Sequence, residues 1–169
     1  MIWFTGDQHF GHANIIEFCH RPFKNTDRMR HALVSRYRKV VSEDDTVYFL
    51  GDLTLAGISH HSFVETLLYE LPGRKIMILG NHDKLAPFTY ENMGFESIHT
   101  ALEIPEGYIL RHDPVASITR PDKIWLCGHV HTHYKTLKNI INVGVDVWDF
   151  YPISIVEIQR LEREMKKEE

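Results

Sequence analysis

The sequence predicts an α/β domain, because short buried strands alternate with helices along the first half of the chain. Four nearly continuous apolar runs, each only four to six residues long, are rich in Val, Ile, Phe, Tyr or Trp. Runs of this kind are typical of strands buried on both faces of a sheet. They are Ile2–Thr5, Thr46–Leu50, Lys75–Leu79 and Lys123–Cys127. Helical segments between them indicate parallel strand pairs in this half.

Three helices are predicted in this first half. In Thr26–Val41, apolar residues recur at the spacing of one helix face, behind a capping cluster that begins at Asn25. The capping box Ser62–Glu65 opens a second helix, which Pro72 stops before the third strand. Pro87–Asn92 forms a third, shorter helix.

The second half of the chain shows strand-like runs separated by turns, so we expect antiparallel strands to complete the sheets. These runs are Ser97–Leu102, Tyr108–Arg111, Thr136–Val143 and Ile153–Ile158. From residue 160 onward the chain is charge-balanced, which is typical of a helix end or a frayed tail. We therefore expect one domain over residues 1–159, followed by a charged tail over residues 160–169.

Composition excludes several classes of protein. With 19 Lys and Arg against 23 Asp and Glu, the net charge of -4 argues against a protein whose whole surface binds nucleic acid or an anionic membrane. No apolar run approaches the ~20 residues of a membrane span, and the first residues do not resemble a signal peptide. Two cysteines, Cys19 and Cys127, form no C-x-x-C pair, which suits a reducing compartment. We expect a cytoplasmic protein without a membrane partner.

Polar residues follow each of the four buried strands. The turns read Gly6-Asp7-Gln8-His9, Gly51-Asp52, Gly80-Asn81-His82-Asp83 and Gly128-His129-Val130-His131. Because ligands of open α/β sheets bind outside the carboxyl ends of the strands, these turns should converge in space. Taken alone, each residue reads equally well as a metal ligand or as a structural residue, which would be a turn cap for an aspartate and a core residue for a histidine. Crowded together, carboxylates and imidazoles oppose one another's charged forms, and a bound cation removes that conflict.

The spacing of these residues indicates the kind of metal. The pairs Asp7/His9 and His129/His131 are two residues apart, so on an extended segment both members point the same way. Oxygen and imidazole ligands without thiolates favour Mn, Fe, Zn, Ni or Co. Cys127 precedes its turn and is interpreted as a core residue.

In this order, D-x-H, G-D, G-N-H-D, an isolated His and G-H-x-H resemble the calcineurin-like metallophosphoesterase family, over roughly positions 5 to 146. The resemblance implies a four-layer α/β/β/α sandwich of mixed sheets, with two divalent metal ions at the C-terminal ends of the strands. Manganese is the first expectation, with Fe, Ni, Zn or Co as alternatives. One ion would be bound by Asp7, His9 and His131, the other by Asn81, His112 and His129, and Asp52 would bridge both. The sequence departs from the family after His112, where a glycine often follows.

The resemblance further implies that His82 is the catalytic histidine and that Asp83 orients it. The reaction would be hydrolysis of a small phosphomonoester or phosphodiester, cyclic nucleotides included, by attack of a hydroxide that bridges the two ions. His82 would then protonate the leaving oxygen. Two alternatives remain open: a nuclease or phosphoprotein phosphatase, and a non-catalytic metal-binding scaffold. A nucleic-acid substrate is less favoured than a small phosphorylated one.

Several residues outside the motifs carry open interpretations. The segment 12–26 follows the first turn and is expected to wall the substrate side, where His12 and Arg21 would reach a phosphate; His12 also reads as a surface histidine. Asp83 also reads as the cap of the following turn, and Asp146 as either a partner of a metal ligand or a surface residue. The basic residues between Arg21 and Lys39 read as a solvated helix face, or as a surface that attracts a phosphorylated substrate or an RNA end.

Overall fold

The computed structural model describes residues 1–55 and 66–168, with every side chain in them except those of Ile118 and Glu168. The strands are β1 (Ile2–Thr5), β2 (Thr46–Leu50), β3 (Arg74–Ile78), β4 (Ser97–His99), β5 (Leu102–Glu103), β6 (Ile109–Leu110), β7 (Trp125–Cys127), β8 (Thr136–Leu137), β9 (Ile140–Asn142) and β10 (Ile153–Ser154). The α-helices are α1 (Asn14–Phe18), α2 (Thr26–Val40), α3 (Pro87–Asn92) and α4 (Ile155–Glu168), and 3-10 helices cover Pro114–Thr119 and Val145–Val147. Residues 66–69 are also helical. The predicted capping box at 62–65 lies outside the described residues.

Two five-stranded mixed sheets form the centre of the fold. In the first sheet the order is β10-β1-β2-β3-β4, with β1 to β4 parallel and β10 antiparallel at one edge. In the second sheet the order is β5-β6-β7-β9-β8. The second half was expected to add antiparallel strands, and this is only partly correct. Its three central strands β6, β7 and β9 are parallel, and only β5 and β8 pair antiparallel at the edges.

Alternating side chains along each strand separate the layers of the sandwich. In β2, Val47 and Phe49 pack into the core beneath the helices, whereas Tyr48 and Leu50 pack into the core between the two sheets. Helix α2 faces the first of these cores with three buried side chains, one per turn. Since successive side chains of a strand point to opposite faces, the continuous apolar runs serve two cores at once.

The outer face of the second sheet carries a smaller cluster, formed by Ile109, Trp125, Cys127 and Ile140. Ala116, from the 3-10 helix Pro114–Thr119, packs against it. Helices, two mixed sheets and this thin outer layer together confirm the predicted α/β sandwich.

The end of the chain differs from the expected strand Ile153–Ile158. The strand stops at Ser154, and α4 begins at the next residue. Ile158 and Leu161 recur at helical spacing and are buried in the core between the sheets, so burial of one helix face outweighs the β-branched composition of this run. Helix α4 therefore crosses residue 160 without a break. Within the described part of the chain, no helix is long and apolar enough to cross a membrane.

Candidate metal centre

The turns after β1, β2 and β7 come together at the carboxyl ends of the strands, as predicted. The Asp7 amide donates to the Gly51 carbonyl at 2.9 Å, and the His9 amide donates to the Asp52 carbonyl at 3.0 Å. The His129 amide reaches both carboxylate oxygens of Asp7 at 3.0 Å. These bonds join segments more than 120 positions apart into one site.

The backbone of these turns is unusual. Five of the predicted ligands lie in the left-handed region, with φ of 57° at Asp7, 51° at His9, 54° at Asp52, 71° at His129 and 44° at His131. Asp and His are among the few residues other than glycine that occupy this region with any frequency, and a cluster of such conformations marks a functional site. A Cβ at Gly80 would clash with Asp52, and a Cβ at Gly144 would clash with Asp7, so both positions require glycine.

Asp7, His9 and His131, which we call the first ligand group, bring one ligand atom each to within 4.8 Å of the others. Nδ1 of His131 bonds to Oδ2 of Asp146 at 2.9 Å, which leaves Nε2 free to bind a metal. His9 is buried, and neither of its ring nitrogens has a hydrogen-bond partner among the described residues. Orphaned buried nitrogens are costly, and a metal ion would satisfy one of them.

Asn81, His112 and His129 form the second ligand group. Oδ1 of Asn81 lies 3.0 Å from Nε2 of His112 and 3.0 Å from Nδ1 of His129, and the two nitrogens are 3.3 Å apart. Ligands about 2.1 Å from a common ion lie roughly 3.0–3.4 Å from one another, so this triangle has the dimensions of a coordination shell. Nδ1 of His112 bonds to the Leu50 carbonyl at 2.7 Å, which fixes the ring and frees Nε2.

Asp52 lies between the two groups. Its Oδ2 is 3.5 Å from Nε2 of His9 and 3.4 Å from Nε2 of His112. Its Oδ1 accepts a hydrogen bond from the His82 amide at 2.9 Å. One carboxylate oxygen within reach of both groups is the arrangement that a bridging ligand needs, and the donor set as a whole fits two divalent cations.

The charges of these residues are strongly coupled. Burial raises the pKa of Asp7 to about 6. Burial also opposes ionisation of Asp52, but the hydrogen bond and charge of His112 outweigh it and lower the Asp52 pKa to about 2. Burial disfavours the charged forms of His112 and His131, yet their carboxylate neighbours raise the pKa to about 9 and about 10 respectively. Among the residues themselves, two imidazolium groups thus balance the carboxylates, and bound cations would replace those protons.

His82 and Asp83 have different surroundings. The His82 side chain is 41% exposed, with Nε2 3.9 Å from Oδ2 of Asp52 and its ring edge-on to His9 at 5.5 Å. It therefore faces the centre and is open to a substrate.

Asp83, expected to orient the His82 ring, is buried beneath the turns instead. Its carboxylate accepts from the amides of Asp52, Leu53 and Gly80 at 2.7–3.2 Å, and no bond to the His82 ring is found among the described residues. Asp83 thus fixes the backbone that carries the site and does not hold the His82 ring.

Arg21 corrects a second expectation. Its side chain is completely buried, so it cannot reach a phosphate on the substrate side. Nε and Nη2 donate to the two carboxylate oxygens of Asp146 at 2.7 and 2.9 Å, while Nη1 and Nη2 donate to the carbonyls of Gln8 and Asp7. Arg21 thus holds the first turn from behind and fixes the carboxylate that orients His131. A separation of 125 residues hides this pair from any reading of sequence spacing.

Asn142 is a further residue that supports the site. Its Nδ2 donates to the carbonyls of His131 and Tyr134 at 2.8 Å, and its Oδ1 accepts from the Gly144 amide. Asn142 is fully buried and holds the last turn of the site.

His12 lies at the rim of the first ligand group. Its ring is 5.5 Å from that of His9, and Phe18 meets it edge-on at 6.3 Å. Nδ1 of His12 is buried without a hydrogen-bond partner in the described part of the chain. The segment that follows the first turn therefore does wall one side of the centre.

Comparisons with known proteins agree with this geometry. The chain is 34% identical over 170 residues to the uncharacterised protein MJ1445 of Methanocaldococcus jannaschii, covering 95% of this chain and 90% of that protein. It is 29% identical over 180 residues to the Gene 66 protein of Mycobacterium phage L5, covering 86% of each.

Solved structures share the fold. A protein of unknown function from Aquifex aeolicus, AQ665, superposes with a TM-score of 0.75 at 28% identity, covering 95% of this chain and 98% of that one. The nuclease MPE of Pseudomonas putida has the same type of fold, with a TM-score of 0.52 at 21% identity over 77% of this chain and 61% of that one. The model of one family, described as calcineurin-like phosphoesterase, matches residues 1–143. With the predicted motifs brought to one edge of the sheets and most of its length matched, the chain belongs to the calcineurin-like phosphoesterase family.

Proposed function

We propose that this protein hydrolyses a small phosphomonoester or phosphodiester, a cyclic nucleotide included, at a centre of two divalent cations. The position of Asp52 carries the proposal, because one of its oxygens lies within 3.5 Å of a ring nitrogen in each ligand group. The first ligand group would hold one ion, the second ligand group the other, and Asp52 both. Manganese is the first candidate, since carboxylate and imidazole ligands without thiolates suit it.

Two such cations supply a nucleophile at neutral pH and neutralise the charge on the phosphoryl oxygens. Residues of the chain would donate the proton, contact the phosphate and position the turns. His82 faces the centre from its open side and donates a proton to the leaving oxygen. His12 lies on the rim, with its ring 5.5 Å from that of His9, and would contact a phosphate bound at the centre. The bonds from Asp83 to three amides keep the turns that carry Asp52 and His82 in place.

The test is hydrolysis before and after removal of the metal. Protein dialysed against EDTA is assayed on p-nitrophenyl phosphate, bis-p-nitrophenyl phosphate, and 2′,3′- and 3′,5′-cyclic nucleotides, then refilled with Mn²⁺, Ni²⁺ or Zn²⁺. We expect activity to vanish with the metal and to return with about two ions bound per chain. Full activity in excess EDTA would contradict the mechanism, and two bound ions without turnover of any ester would identify a non-catalytic scaffold.

A nuclease is the second candidate function. The observation that favours it is an exposed arginine, Arg111, in the cleft beside the second ligand group.

A further inference from the structure

The two sides of the metal centre differ in chemistry, and we propose that they bind the two neighbours of a phosphodiester within single-stranded nucleic acid. A base would stack on Phe18 beside the first ligand group, and the next phosphate would bind Arg111 beside the second ligand group. This inference rests on the proposed two-cation centre and takes its substrate from the second candidate function, a nuclease.

Phe18 is the base-stacking candidate because it is 70% exposed although it lies next to the centre. Its ring meets His12 edge-on at 6.3 Å, and the His12 ring lies 5.5 Å from the ligand His9. An exposed phenyl ring at the rim of a polar site does not contribute to the packing of the core. Aromatic rings in such positions bind unpaired bases, because every base offers a face on which to stack.

The segment that carries Phe18 is firmly held. Arg21, three residues further on, is buried and makes four bonds of 2.7–2.9 Å to Asp7, Gln8 and Asp146. Phe23 packs edge-on against Phe150 with their ring centres 4.8 Å apart. The stacking surface is therefore already ordered before a ligand binds, which limits the entropy lost on binding.

On the other side, a cleft of about 270 Å³ opens directly on the second ligand group. Its lining includes Asn81, His112 and His129, and beside them Thr100 and Arg111. Arg111 is exposed and makes no side-chain hydrogen bond or ion pair within the described residues. The neighbouring acid, Asp113, also lines the cleft; its Oδ1 accepts from the Val115 amide at the start of the 3-10 helix, and it makes no ion pair with Arg111 within the described residues. An arginine left free in this place is suited to a phosphate.

The positions of Phe18 and Arg111 on opposite sides of the centre favour one class of substrate. A terminal phosphomonoester has a substituent on one side only and would leave one of the two walls unused. A diester within a strand places a nucleoside on one side and another phosphate on the other. Unpaired bases fit this arrangement, because the faces of a base inside a duplex are already covered by its neighbours, whereas an unpaired base can stack on the Phe18 ring.

The test compares a small diester with short nucleic acids. Wild type, Phe18→Ala and Arg111→Ala are assayed with Mn²⁺ on bis-p-nitrophenyl phosphate, a thymidine dinucleotide and a thymidine tetranucleotide. Two exposed residues away from the centre supply matched controls, Tyr69→Ala for the aromatic ring and Arg163→Ala for the cation. For Phe18→Ala, we expect kcat/KM on both nucleotides to fall roughly 5- to 100-fold. For Arg111→Ala, we expect a fall of about tenfold or more on the tetranucleotide. Both falls should be larger than any change on bis-p-nitrophenyl phosphate, which has neither a base nor a second phosphate.

A binding measurement separates failure of this inference from failure of the proposed function. In the His82→Ala background, fluorescence anisotropy of a labelled thymidine hexanucleotide should show weaker binding for both variants and unchanged binding for both controls. If the wild-type protein does not hydrolyse bis-p-nitrophenyl phosphate, that result would count against the proposed function alone. Equal loss on all substrates, no loss on any, or stronger binding of a duplex than of the single strand would overturn the inference.

Discussion

The two ligand groups are held in place by different contacts behind them. The first is backed by a buried ion pair, because Arg21 holds Asp146 and Asp146 holds the ring of His131. The second has a neutral support, the Leu50 carbonyl behind His112. Burial differs as well, since two members of the first group are buried, whereas Asn81 and His129 in the second group are exposed.

We infer from this difference that the two ligand groups have separate roles in the metal centre. The buried group is arranged in advance by charges that no substrate meets, so we expect it to bind its ion first and more tightly. The exposed group opens on the cleft, and we expect a substrate phosphate to approach its ion from there. Support behind a ligand sets the affinity of the site, and exposure in front of it sets access.

The largest effect is expected from removing the residue that the two groups share. Asp52→Asn keeps the size of the side chain but removes the charge that lies between His9 and His112. We expect both ions to be lost together and turnover to become undetectable, measured by metal analysis after gel filtration. Retention of one full ion would show that the two groups load independently and that Asp52 does not bridge them.

His82→Ala separates chemistry from metal binding. Because the partly exposed His82 side chain belongs to neither ligand group, we expect about two ions to remain while kcat falls ~10²–10⁴-fold for an ester with a poor leaving group. The fall should shrink for p-nitrophenolate, which departs without a proton. His131→Ala is the contrasting variant, in which metal and activity disappear together. Equal slowing of good and poor leaving groups by His82→Ala would rule out a proton donor at this position.

The variant Asp146→Asn tests whether the two ligand groups are supported separately. The amide oxygen can still accept from His131, but the charge that Arg21 holds in place is gone. We expect the affinity of the first ion to fall about 10–100-fold while that of the second stays near wild type. A two-step calorimetric titration with Mn²⁺ measures both. Asp149→Asn, at a nearby exposed acid, is the matched control, and an equal fall at both steps would contradict separate support.

The smallest effect concerns pH. The pKa values of His112 and His131 are raised to about 9 and about 10 from 6.5, so their protonation stabilises the fold below pH 6.5, and that contribution is lost as pH rises through 9 and 10. Asp7, with its pKa raised to about 6, contributes in the same direction at lower pH.

After EDTA treatment, we therefore expect Tm to fall by roughly a few degrees between pH 6.5 and 10. With Mn²⁺ bound, Tm should instead fall on acidification, since protons compete for the ligand histidines. Parallel pH profiles for the two preparations would show that the imidazolium charges do not replace the cations.

Much of this site could be predicted from the sequence because its information is local. Each turn follows a short buried strand, and parallel strands bring their carboxyl ends to one edge, so Asp7, Asp52, Asn81 and His129 had to meet. His112 fits the second ligand group despite the aspartate that follows it. The support behind the ligands was not predictable in this way. Arg21 and Asp83 gain their roles from contacts with distant backbone, and their own neighbours in sequence do not reveal these contacts.

The second sheet and the last helix show a different limit. Runs of two or three residues, such as β6, carry too little periodicity to indicate whether they pair parallel or antiparallel. The run after Ile153 is rich in β-branched residues and reads as a strand, yet Ile158 and Leu161 meet the core only when the chain coils into α4. Tertiary burial decided between two local preferences of similar strength.

Selection for stability and selection for metal binding act in opposite directions on His9, because its left-handed backbone destabilises the fold. Left-handed conformation costs an ordinary side chain about 1–2 kcal/mol, and the two buried ring nitrogens of His9 add the cost of lost hydration. Without metal, the backbone conformation of His9 and its unpartnered ring nitrogens both destabilise the fold. When a library of variants at position 9 is screened for heat resistance in the presence of a chelator, we therefore expect glycine or asparagine to be enriched. These variants would have a higher Tm but would no longer hydrolyse the substrate. Screening the same library with Mn²⁺ present should preserve the histidine.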